Sequence, residues 1–153
     1  MRIARLGVED WSAFRDFRID GLRESPESFA STLSDVLLRT DQSWRDQLGR
    51  LRDPQGIALI ACDADGAWVG TMRAAVTDGQ AWVHGVYVVP AARGGGVAAA
   101  LMSELLAWAV DHASVAMLHV VESNVRARRF YESFGFTPVG VDGREIEMRR
   151  VLS

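Results

Sequence analysis

A chain of 153 residues is the length of one domain and can bury roughly 70% of the surface its unfolded form exposes. Hydrophobic residues at 48% and charged ones at 24% are ordinary for a globular protein, and the net charge of −3 argues against a nucleic-acid surface, which would be basic. A single cysteine, Cys62, excludes an intrachain disulfide and argues against a cysteine-based metal site, while no run approaches the roughly 18 apolar residues of a membrane span.

The opening MRIARLGVED lacks the apolar core of a signal peptide, so a cytoplasmic protein with no membrane partner is expected. Residues 2–6 (RIARL) read as a short strand. From Val8 to Leu22, Trp11, Phe14, Arg18 and Leu22 fall close to one face at helical spacing. Arg23 to Asp35 is rich in serine and broken by Pro26, which makes it an irregular connection or short helix. A second helix from about Asp41 to Leu51 carries Trp44 and Leu48 four apart, and the turn Asp53-Pro54-Gln55-Gly56 ends it.

Three strands follow: IALIAC (57–62), AWVGTMRAAV (67–76) after a DADG turn, and AWVHGVYVV (81–89) after TDGQ. Cys62 closes the first of them as a small core residue. The helix from about Gly94 to His112 is apolar almost all round, with only Ser103, Glu104 and Asp111 clearly polar, so it should be largely buried against a sheet. VAMLHVV (115–121) is the next strand and implies a parallel crossover. Asn124 begins a helix to about Phe134, Gly135 stops it, and FTPVG and REIEMRRVL are the last two strands. With no internal repeat or linker, residues 1–153 form one domain of mixed α/β class.

The stretch Val86 to Leu101, VYVVPAARGGGVAAAL, organises the rest. Three glycines where a strand turns into a helix bare the backbone, and the first N–H groups of a helix have no internal partner and sit at the positive end of its dipole. Arg93 adds a charge beside this anion site, so a phosphorylated ligand is expected. A plain turn is the bland alternative. The P-loop pattern fails, since no Gly-Lys-Ser/Thr follows and the chain has no lysine. The dinucleotide fingerprint fits in part, through Gly94, Gly96 and Ala99, but Pro90–Arg93 separates strand from glycines and Glu122 lies further on than usual.

Arg93-x-x-Gly96-x-Ala98, led by Val86-Tyr87-Val88, resembles the acyl-CoA signature of the GNAT superfamily of N-acyltransferases. Asn124-x-x-Ala127-x-x-x-Tyr131-x-x-x-Gly135-Phe136 is similar to that family's C-terminal helix and following strand. The resemblance covers the chain well from about residue 57 onward, and the first part loosely. It implies a central mixed sheet of about six or seven strands with about four helices. It also implies transfer of an acetyl group from acetyl-CoA, with no metal, to a primary amine of a small molecule or peptide by direct attack in a ternary complex. A homodimer would be in keeping with the family.

Residue by residue, the resemblance makes Arg93, Gly94, Gly95, Gly96, Val97 and Ala98 the pyrophosphate cradle. The pantetheine arm would lie along the backbone of Val86, Tyr87 and Val88, where the strands before and after the central helix splay apart. Asn124 would contact the cofactor, and Arg126, Arg128 and Arg129 offer charge to its phosphates. Tyr131 matches the proton donor to the departing thiolate. For the base, His84 stands two residues before Val86, with Glu122 or a water chain as alternatives. Strand alternation puts Tyr87 on the opposite face from His84. The acceptor pocket falls at roughly residues 20–45, with Phe29, Thr32 and Trp44 as candidates. His112 and His119 match no motif. A non-catalytic acyl-CoA-binding or sensor module, or a dinucleotide-binding module, are the competing readings.

Overall fold

A computed structural model describes residues 1–28 and 31–153. In chain order the elements are β1 (Arg2–Arg5), α1 (Trp11–Glu24), α2 (Leu33–Leu37), α3 (Asp41–Arg50), β2 (Gly56–Cys62), β3 (Trp68–Thr77), β4 (Gln80–Val88), α4 (Val97–Ala109), β5 (Val115–Val121), α5 (Val125–Ser133), β6 (Thr137–Asp142) and β7 (Glu145–Val151). Short 3-10 turns at Val8–Asp10, Pro26–Ser28 and Pro90–Ala92 link them. Side-chain caps start three of the helices: Thr32 accepts from Asp35 N at 3.2 Å, Thr40 from Ser43 N at 3.1 Å and Asn124 from Ala127 N at 3.1 Å. No helix among the described residues is long and apolar enough to cross a membrane.

The seven strands form one sheet in the order β1-β2-β3-β4-β5-β7-β6. Every pairing is antiparallel except β4 with β5, the crossover that α4 makes. Each face carries its own core. On one side α4 sets Leu101, Met102 and Leu105 against Leu59, Met72 and Val83, and α5 adds Tyr131 to the same cluster. On the other, Phe14 and Leu22 of α1 and Trp44 and Leu48 of α3 cover Ala58, Ile60 and Cys62. Consecutive residues of β2 go to opposite clusters, which is why IALIAC is apolar throughout.

The central helix begins at Val97 and not at Gly94, because Gly94 and Gly96 hold φ of 80° and 84°, outside the right-handed helical region. A second departure alters a face. Thr71 stands opposite Tyr87 and Arg73 opposite His84, so Gly85 and Val86 together face Met72. That extra residue is a β-bulge, and Gly85 takes φ of 63° to make it. Before the bulge Ala81 and Val83 face α4; after it Val86 and Val88 do. His84 and Tyr87 therefore share the α1 face, which overturns the alternation expected of an unbroken strand.

Candidate active site

Pairing of β4 with β5 stops at Trp82–Met117. Beyond it β5 bonds only β7, and residues 83–88 keep β3 as their sole strand partner. The strands splay at the position the resemblance implied. The gap opens into a cleft of about 680 Å³ walled by Val86–Val88 on one side and Asn124, Ala127 and Tyr131 on the other, with Arg93, Gly94 and Gly96–Ala99 at its mouth. Of the residues expected to hold a cofactor, Gly95, Arg128 and Arg129 are not part of the lining.

At the mouth, none of the amides from Gly94 to Ala99 has a hydrogen-bond acceptor among the described residues. The first helical amide that does is that of Ala100, which donates to Gly96 O at 3.0 Å. A Cβ at Gly94 or Gly96 would meet no atom within 4 Å. Glycine is thus required there by the left-handed backbone, and the space a side chain would fill is open to a ligand. A row of free N–H groups at a helix N-terminus is a fitting cradle for a pyrophosphate.

Arg93 is already engaged. Its Nη2 donates to Glu24 Oε2 at 2.8 Å and to Ser25 Oγ at 3.3 Å, and its Nε to Val88 O at 3.0 Å. Glu24 Oε2 also accepts from Tyr87 Oη at 2.9 Å and from Ser25 Oγ. These donors, Ser25 foremost, hold the Glu24 carboxyl below its ordinary pKa. Burial, and then Glu24, push the Tyr87 phenol up to about 12. Sequence reasoning missed Glu24 and Ser25. They end a helix far from the glycine motif and carry no pattern of their own.

Tyr131 is buried, packed edge-on between Phe130 at 5.5 Å and Phe136 at 6.1 Å. Its hydroxyl has no partner among the described residues and faces the cleft. Burial raises its pKa to about 12, so the hydroxyl keeps its proton at neutral pH. Asn124 uses Oδ1 for the α5 cap, which leaves its amide nitrogen for a ligand. Of the nearby arginines Arg126 lines the cleft, whereas Arg128 lies 3.5 Å from Glu132.

His84 lies outside the cleft lining, on the α1 face beside Arg73. The residue as a whole is exposed, yet its ring has lost enough hydration that this, then Arg73, His119 and Arg18, push its pKa down to about 4. Glu122 is exposed and absent from the lining, while its neighbours Val121 and Ser123 belong to it. Among the acceptor candidates, Thr32 is an exposed helix cap and Trp44 a core residue packed on Phe14 at 5.9 Å; Phe29 lies outside the described residues.

Residues 18–136 match the acetyltransferase (GNAT) family. A mycothiol acetyltransferase of Beutenbergia cavernae is 37% identical over 123 residues, 76% of this chain and 37% of that protein. A protein of Archaeoglobus fulgidus named an uncharacterized N-acetyltransferase is 31% identical over 134 residues, 84% of this chain and 80% of the other. The fold is also that of PaiA N-acetyltransferase from Thermoplasma acidophilum in complex with coenzyme A, with a TM-score of 0.81 over 98% of each chain at 16% identity. The chain spans less than half the length of the mycothiol acetyltransferases it matches. A splayed β4–β5 cleft with a free-amide cradle at its mouth, together with this match over most of the length, places the chain in the acetyltransferase (GNAT) family, whose acyl donor is acetyl-CoA.

Proposed function

We propose that this domain moves an acetyl group from acetyl-CoA to the primary amine of a small molecule, by direct attack within a ternary complex. The observation that carries the reading is the row of acceptor-free amides from Gly94 to Ala99 at the mouth of the gap between β4 and β5. These amides bind the pyrophosphate, and the strand-free edge of Val86–Val88 holds the pantetheine arm as an added strand. Bound acetyl-CoA supplies an activated acyl carbon at the deep end of the cleft. The acceptor nitrogen bonds to that carbon as the C–S bond breaks; the amine loses a proton and the sulfur is left as thiolate.

Tyr131 faces that sulfur. With its pKa at about 12, full proton transfer to a thiolate of parent pKa about 8.5 would be uphill by roughly 5 kcal/mol. Its part is therefore to donate a hydrogen bond that stabilises the leaving thiolate, with the proton delivered as the product departs. His84, weakly basic and outside the cleft lining, is not the direct base, and a water chain carries the ammonium proton away. Relatives named mycothiol acetyltransferase favour a small-molecule amine over a peptide, and an acetyl-CoA user is at home in the cytoplasm.

Calorimetric titration with CoA, acetyl-CoA and NAD, alongside thiol release over a panel of amines, tests this. CoA and acetyl-CoA should bind, NAD should not, and at least one amine should release thiol. CoA binding with no release over the panel would leave a non-catalytic acyl-CoA module. Binding of NAD in place of CoA would overturn the cradle assignment.

A further inference from the structure

On the α1 face, behind Tyr87, two arginines meet with no counter-charge among the described residues. Arg18 comes from α1 and Arg73 from β3, and with Phe14, Phe17, Thr71 and Gly85 they surround a cavity of about 10 Å³, room for about one water-sized group. Nε and Nη1 of Arg18 are buried and have no acceptor among the described residues, where Nη2 reaches Ser31 Oγ at 3.3 Å. The Arg73 guanidinium has no hydrogen bond or ion pair among the described residues. The other charge acting on both is Arg39, a third cation, which is itself held by Ser43 and Gln47.

A buried, unpaired guanidinium is costly, and a second beside it adds repulsion. Lost hydration and these neighbours lower the two pKa values to about 10 and about 9, which still leaves both charged at neutral pH. The backbone makes room for the arrangement: a Cβ at Gly85 would lie 2.0 Å from Arg73 Nη1. Tyr87 lines both this cavity and the cofactor cleft, so the arginine pair lies one side chain away from the proposed thioester position.

We propose that Arg18 and Arg73 form the subsite for a carboxylate carried by the acceptor, which makes the acceptor an amino-acid-like primary amine. The proposal rests on the acetyl-transfer reading, and it names the substrate class of that site. Guanidinium forks match the oxygens of carboxylates and phosphates alike, and a cavity with room for about one water-sized group takes a single carboxylate oxygen but not a whole tetrahedral phosphate.

The test is calorimetric titration of the CoA-saturated protein with L-amino acids, their carboxamides and O-phosphoethanolamine, with thiol release from acetyl-CoA measured in parallel. At least one amino acid should bind tenfold or more tightly than its carboxamide. Arg18→Met and Arg73→Met should each abolish that preference while CoA affinity is kept. Equal binding of acid and amide, no amino acid binding, tighter binding of the phosphate compound, or a preference that survives in both variants would each overturn the proposal. If a variant does not fold, the acid-against-amide comparison on the unsubstituted protein decides alone. Carboxylate-selective binding without thiol release keeps the subsite and refutes transfer; thiol release without carboxylate preference keeps transfer and refutes the subsite.

Discussion

Arg93 Nη2 lies 2.8 Å from Glu24 Oε2, the oxygen that also accepts the Tyr87 hydroxyl. One carboxylate thus ties the end of α1 to both the cradle loop and the floor of the cleft. The chain has two tyrosines, so a spectroscopic phenol titration can follow each. Both are pushed up to about 12, Tyr131 by burial and Tyr87 by burial with Glu24 as the next cause. Glu24→Gln should lower one of the two phenols part of the way toward 10 and leave the other in place. An unchanged titration would remove Glu24 as the cause.

Replacing Gly96 by alanine should cost about 1–2 kcal/mol in stability, from a left-handed residue gaining a Cβ. Gly66→Ala is the matched control, since Gly66 shares the φ of 84° and its Cβ would also meet open space, away from the cleft. Both variants should lose similar stability in urea, but only Gly96→Ala should weaken CoA binding, by tenfold or more. Equal CoA affinity in the two would mean that the cradle is elsewhere.

Tyr131→Phe removes a hydroxyl with no partner among the described residues and leaves the ring packing on Phe130 and Phe136. Stability and CoA affinity should scarcely change, while turnover falls by about 10²–10⁴-fold, the usual worth of a positioned donor. Normal turnover in a folded variant would reduce Tyr131 to a packing residue.

His84 has its pKa pushed down from 6.5 to about 4, so the folded protein resists a proton that the unfolded chain accepts. Stability should therefore fall as pH drops from about 6.5 to about 4, and His84→Gln should lose part of that dependence. The same shift keeps the imidazole neutral throughout neutral pH. The pH profile of kcat/KM should show no limb near 6.5 belonging to His84, and should rise with pH through ionisation of the acceptor amine. A limb near 6.5 that vanishes in His84→Gln would restore a direct histidine base.

Most of the site's cofactor half was legible in the chain because it is local. Strand, glycines and helix of the Val86–Leu101 stretch are contiguous, and the cradle uses backbone groups whose direction follows from the turn itself. Asn124 caps α5 and Tyr131 lies on it; an asparagine at the helix start marks the cap, and the place of Tyr131 at the cleft is what the family resemblance implied. The acceptor half was not legible, since it is assembled from distant segments. Arg18 shares a helical face with Trp11, Phe14 and Leu22, and nothing in that spacing tells that its buried nitrogens go unpaired beside Arg73.

The amino-acid pattern by itself determined most of the elements, the mixed sheet and the glycine turn that leaves the first amides of α4 without acceptors, because hydrophobic period, caps and glycine backbone act over a few residues. Tertiary structure alone decided that Arg93 is clamped by Glu24, that Arg18 meets Arg73, and that His84 shares a face with Tyr87. The reason is geometric. A single bulged residue reverses every side chain beyond it, and a charge finds or lacks its partner only when sheet and helix are packed together.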